Sequence, residues 1–216
     1  MTSRRIALLH TANSNVALFD QAACASGLAG RARLSHKVRP DLLAAVQSAG
    51  GLTEALAAQT AALLMALAES AEAVVLTCSS LGPAVERLGG FAVPIIRADA
   101  ALAAVATAGA GKVAALYAAP TSREATEQLF STAAAQTGSM IDLRCVERAW
   151  DAFLDGDVQA YRALILDEMG RAEAGGADLI ALAQASMSVA ASSPKVSIPV
   201  LTVPGAALEY LIEALF

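Results

Sequence analysis

A chain of 216 residues with 15 Lys and Arg against 20 Asp and Glu has a formal net charge of −5, which argues against a nucleic-acid partner or a polybasic hold on a membrane. With 56% hydrophobic and 16% charged residues it is far from the composition of a disordered chain, and with only 4% aromatics its core must be filled by small aliphatic side chains, Ala above all. Mean hydropathy is +0.54, yet no window reaches about 18 uncharged apolar residues, and the longest candidate, Leu179 to Pro194, is interrupted by Gln184 and several serines.

The first predicted strand is Arg5–His10, an apolar run too short for a signal peptide, so a soluble cytoplasmic protein is expected, its three cysteines reduced. Further strands are predicted at Ala32–Val38, Ala73–Cys78, Pro94–Ala98, Lys112–Ala118, Met140–Val146, Asp178–Gln184 and Pro199–Val203, alternating with Ala/Leu-rich helical patterns, the signature of βαβ units and parallel sheets. Thr53–Ala71 reads as a long helix opened by Thr53. Thr121–Thr137 is another, with acidic charge in its first turns. Asp157–Ala174 is a third, closed by Gly175-Gly176. The order long helix, strand, serine-containing loop, short helix, X-Pro strand occurs twice at a separation of about a hundred residues. The fold class expected is therefore α/β, as two similar domains, each a mainly parallel four-stranded sheet flanked by helices: 1–107 plus 204–216, and 108–203. The boundary is placed near Gly109-Ala110-Gly111.

Ligands of open parallel sheets bind beyond the carboxyl ends of strands, which singles out Cys78 and Gln184 at equivalent strand ends. Cys78 follows a buried strand and precedes a helix start, where backbone N–H groups favour a thiolate, and Ser79 and Ser80 beside it supply donors suited to a carboxylate. Cys24 and Cys145 are read as packing residues. Gln184 ends an apolar strand and is either a ligand contact or a link to a neighbouring loop; Ser186 is either a substrate contact or the cap of the short helix that follows. Thr11 and Asn13, after the first strand, and Thr121, after the fifth, are strand-end residues that serve either as helix caps or as substrate contacts. His10 and His36 have no partner at metal-ligand spacing, so no metal site is expected, and neither a nucleophile elbow nor a dinucleotide fingerprint occurs. Trp150 and Phe153, at helical spacing, are read as packing.

The run Val75-Leu76-Thr77-Cys78-Ser79-Ser80, the segment His36-Lys37-Val38-Arg39-Pro40-Asp41-Leu42-Leu43 and the tandem order of elements resemble the aspartate/glutamate/hydantoin racemase superfamily over most of the chain. The resemblance implies two pseudosymmetric α/β domains with a substrate between them, no cofactor, and a cysteine from each domain acting on opposite sides of the α-carbon. Cys78 then is the first of these, Ser79 and Ser80 stand where an Asn-Thr carboxylate clamp is usual, and Asn13 and Thr121 match substrate-contacting positions. The second cysteine is missing, because Ala183-Gln184-Ala185 stands where the family reads Gly-Cys-Thr, and an amide neither removes nor returns a proton. The expected function is an Asp/Glu racemase-like enzyme acting on a small carboxylate through Cys78 as acid/base or nucleophile, with Thr11, Asn13, Ser79, Ser80, Thr121, Gln184, Ala185 and Ser186 as substrate-binding residues. The expected assembly is a homo-oligomer. The alternatives are a catalytically silent small-ligand binding protein of the same fold and a single-cysteine isomerase or decarboxylase.

Overall fold

Runs of buried aliphatic residues flanked by helix-forming stretches leave the backbone one economical arrangement, a parallel sheet covered on both faces. The computed structural model describes residues 4–89, 92–109, 111–192 and 195–216, and the expected boundary residue Ala110 lies outside them. All eight expected strands form: β1 (Arg4–His10), β2 (Ala32–Val38), β3 (Ala73–Leu76), β4 (Ile95–Arg97), β5 (Lys112–Tyr117), β6 (Met140–Cys145), β7 (Leu179–Leu182) and β8 (Val200–Thr202). Several are a residue or more shorter than expected at their carboxyl ends, because there the chain turns into loops and short 3₁₀ segments.

The chain divides into two compact units, Met1–Ala101 with Pro204–Phe216, and Leu102–Val203. Each holds one parallel four-stranded sheet, ordered β2-β1-β3-β4 in the first unit and β6-β5-β7-β8 in the second. The central strands β3 and β7 are apolar along their whole length, whereas the edge strand β2 alternates buried and exposed residues. In the first unit Leu9, Val74 and Leu76 pack against Leu42, Val46 and Leu64 from the helices α2 (Pro40–Ser48) and α3 (Glu54–Ala68). In the second, Leu116, Ile180 and Leu182 pack against Tyr161, Ile165 and Met169 of the helix Val158–Ala174, with Trp150 and Phe153 stacked at 5.0 Å beside that core, as packing residues.

Helix ends follow local chemistry. Thr53 accepts from Leu56 N at 3.3 Å and Asp157 from Ala160 N at 2.9 Å, each opening its helix, and Gly176, at φ +78°, takes the left-handed turn that ends the second. The helix expected from Thr121 starts at Arg123, because Pro120–Ser122 forms a 3₁₀ turn and puts Ser122 at the cap position. Among the described residues no helix is long and apolar enough to cross a membrane.

Candidate functional site

The strand order puts the reversal of winding between β1 and β3 in the first unit and between β5 and β7 in the second, the positions where open sheets leave a crevice. Register makes the two places equivalent. Leu9 pairs with Leu76 and Leu116 with Leu182; Thr77 N then donates to Leu9 O at 3.1 Å, and Ala183 N to Leu116 O at 2.9 Å. Cys78 and Gln184 each follow by one residue, and Thr11 and Ala118 stand opposite them.

At the first strand end the Thr11 hydroxyl and the Ser80 N–H face the thiol of Cys78, and the Leu81 N–H, which donates to Cys78 O at 3.1 Å, lies beside it as a third donor. These lower the thiol's pKa, but burial pushes it up by more and the charge of Asp99 adds to that, so the thiolate expected from a helix start is not the resting state. The physical reason is that three donors do not replace the water that burial removes. Ser79 and Ser80 are both buried, and the Ser80 N–H is already directed at sulfur. Arg97, on β4, supports this end: its guanidinium donates to Asp99 Oδ1 and Oδ2 at 3.2 and 3.1 Å and to Glu86 at 3.0 Å, and lies against Gly82, where a Cβ would meet it at 2.5–2.8 Å.

Behind the thiol runs a chain of side chains whose donors and acceptors are fixed by counting. Thr77 Oγ1 donates to Leu9 O at 3.0 Å, so it accepts from His10 Nδ1 at 2.8 Å. His10 Nε2 then accepts from His36 Nδ1 at 2.9 Å, and His36 Nε2 reaches Asp20 Oδ1 at 3.1 Å. Burial, reinforced by His36, pushes the His10 ring down to about 3, which keeps it neutral. The two histidines meet because Leu8 pairs with His36 and both rings then lie on the same sheet face. Their spacing in the chain carried no such signal.

At the second strand end both the oxygen and the nitrogen of the Gln184 amide are engaged. Its Oε1 accepts from Ala118 N at 2.8 Å and Ala119 N at 3.0 Å, and its Nε2 donates to Ser122 Oγ at 3.2 Å. Of the two readings of this residue, the loop link is the one made. Ala185 is buried and opens the 3₁₀ segment Ala185–Ala190. Ser186 is not the cap of that segment, because it lies inside it and its hydroxyl pairs with Tyr161 OH at 2.8 Å; burial pushes that phenol up to about 12. Thr121 lies in the 3₁₀ turn, half-buried.

Asn13 is exposed at the start of the helix α1 (Ser14–Ala25) and makes no side-chain cap, whereas Asn15 two residues on is buried with its Oδ1 unpaired among the described residues. The packing assigned to Cys24 and Cys145 is corrected: both are exposed, Cys24 on the outer side of α1 and Cys145 at the end of the edge strand β6, where it meets the Tyr117 phenol.

No protein-family model matches the chain, and no curated protein sequence matches it. Solved structures do. The aspartate racemase of Picrophilus torridus superposes with a TM-score of 0.75 at 13% identity, covering 98% of this chain and 94% of that one. The allantoin racemase of Klebsiella pneumoniae gives 0.68 at 17%, covering 99% and 87%, and the glutamate racemase of Francisella tularensis, solved with D-glutamate, gives 0.67 at 10%, covering 100% and 82%. The chain therefore has the fold of the aspartate, glutamate and allantoin racemases.

Proposed function

We propose that this chain is a cofactor-independent, racemase-like enzyme that exchanges a single proton at the α-carbon of a small carboxylate through Cys78. The observation that carries the reading is the set of donors on the Cys78 thiol, namely the Thr11 hydroxyl and the N–H groups of Ser80 and Leu81 at the first strand end. They compensate the sulfur when it becomes a thiolate, and so serve both directions of proton transfer. At rest the sulfur holds its proton, so exchange begins from the minor thiolate form, which takes the α-proton; the S–H so formed exchanges its proton with solvent and then returns one to the carbanion-like carbon. Racemases of the same fold act on amino acids and on allantoin, which favours a carboxylate or ureide substrate here.

The chemistry is one-sided. Gln184, at the equivalent strand end, is an amide that neither gives nor takes a proton near neutral pH, so a two-thiol exchange has no second partner there. A competing reading is a ligand-binding protein without turnover, and the observation favouring it is that burial pushes the Cys78 thiol up.

A thermal-shift screen over amino acids, hydantoins, maleate and malonates selects the ligand, and its turnover, read as deuterium uptake at the α-carbon in heavy water, is then measured for the natural chain and for Cys78→Ser. Turnover that Cys78→Ser abolishes supports the enzyme reading. Binding with no turnover in the natural chain overturns it in favour of the binding protein.

A further inference from the structure

We propose that the end of β5 is an anion-accepting cradle that the chain fills with its own Gln184, making Gln184 the residue that excludes carboxylates from the second unit. Two consecutive backbone N–H groups, those of Ala118 and Ala119, converge on one oxygen at 2.8 and 3.0 Å. Convergence of adjacent amides on a single point is the geometry with which backbone binds carboxylates and phosphates. The atom received here is a neutral amide oxygen on a tether.

The tether is locked from the other side. Ser122 Oγ accepts from Gln184 Nε2 and itself donates to Ala119 O at 2.8 Å, and Ser122 N donates to the same carbonyl at 3.0 Å. Ala119 is thereby bonded through both its N–H and its C=O to one closed ring of Gln184 and Ser122. Ala118, Ala119 and Ser122 are buried and Gln184 is nearly so, so solvent does not replace a lost partner. The amide orientation is unambiguous, since the opposite one would set two donors against the Ala118 and Ala119 N–H groups.

The same backbone position in the first unit is used differently. There Thr11 offers a hydroxyl to a sulfur, whereas here Ala118 has no side-chain donor and only its N–H is engaged. A carboxylate fits the second cradle by placing one oxygen on the two N–H groups and the other within reach of Ser122, whose hydroxyl turns from Ala119 O to donate. The inference concerns the second unit alone and holds whatever Cys78 does.

Two variants test it. Gln184→Ala is expected to melt about 5–10 °C below the natural chain, because two buried donors lose their partner. Sodium formate or acetate at about 0.1 M is expected to restore half or more of that loss, saturably and beyond any gain in the natural chain. Acetamide is expected to restore less than acetate, and sodium chloride at equal ionic strength nothing. Restoration by acetamide alone, by none of them, or an equal gain in the natural chain overturns the proposal. Gln184→Glu tests it without any added ligand and stands if Gln184→Ala does not fold. Its introduced carboxyl, followed by carbon-13 NMR, is expected to titrate below the ordinary glutamate value of about 4.3. Titration above that value means that the cradle rejects an anion, and the proposal fails.

Discussion

The two strand ends are built on one backbone plan and differ in the atom at its focus. Both sheets reverse their winding beside the central strand, both central pairs run leucine against leucine, and in both the decisive residue comes two positions after the pair. In the first unit the donors gather on sulfur, which gains and loses a proton. In the second they gather on an amide oxygen, which does not. The scaffold supplies donors in either case, and acid/base chemistry is decided by whether their acceptor titrates. Stability is distributed the same way. A buried Arg97–Asp99 pair and the His10–His36 pair brace the first end, whereas a single glutamine spans the second.

The largest effect expected from this contrast is on turnover. Cys78→Ser is expected to lower it by about 10³-fold or more, while Cys24→Ser and Cys145→Ser, both on the surface, leave it within about twofold. Comparable losses in all three erase the distinction between the strand ends.

Acid sensitivity comes next. His10 is fully buried and its ring is pushed down to about 3, so below the ordinary histidine value of about 6.5 the unfolded chain takes up a proton that the folded chain refuses. Stability from this group is complete above about pH 6.5 and is lost as the pH falls toward 3, by an amount of order 5 kcal/mol. Urea unfolding of the natural chain and of His10→Gln between pH 7 and pH 4 measures it. The variant is expected to show a shallower fall, and parallel curves contradict the assignment.

Gly82→Ala is expected to cost about 1–3 kcal/mol, since the added carbon meets the Arg97 guanidinium while Asp99 and Glu86 hold that group in place. An unchanged melting temperature means that Arg97 moves aside freely. The smallest effect is in the thiol itself. Thr11→Val removes one donor from sulfur and is expected to raise the midpoint of the Cys78 alkylation profile. In the free chain the exposed Cys24 and Cys145 are expected to alkylate before Cys78, as peptide mapping of a time course shows.

The fold was legible in the chain because aliphatic runs such as Ala73-Val74-Val75-Leu76 admit one use, a strand buried on both faces, and because the same order of elements occurs twice. Cys78 and Gln184 were legible as strand-end residues for the same reason. Their partners were not. Gln184 is satisfied by backbone groups 65 and 66 residues earlier, which no side-chain pattern announces, and His10 reaches His36 only through the register of β1 on β2. The expected thiolate failed on a balance of magnitudes, because sequence shows the donors near a sulfur but not the water it loses. Of the two roles open to Thr121, the helix cap is not made, because Pro120 starts a 3₁₀ turn that delays the helix by two residues.

The central claim is that one titrating strand end makes one-sided chemistry, and the direct measurement is proton exchange at the α-carbon. The selected carboxylate is incubated with the natural chain in heavy water, with deuterium uptake followed by mass spectrometry and configuration by chiral chromatography. The account predicts deuterium incorporation with the configuration retained, since removal and return use the same sulfur. Racemisation as fast as exchange would contradict it and require a second acid/base group beyond Cys78.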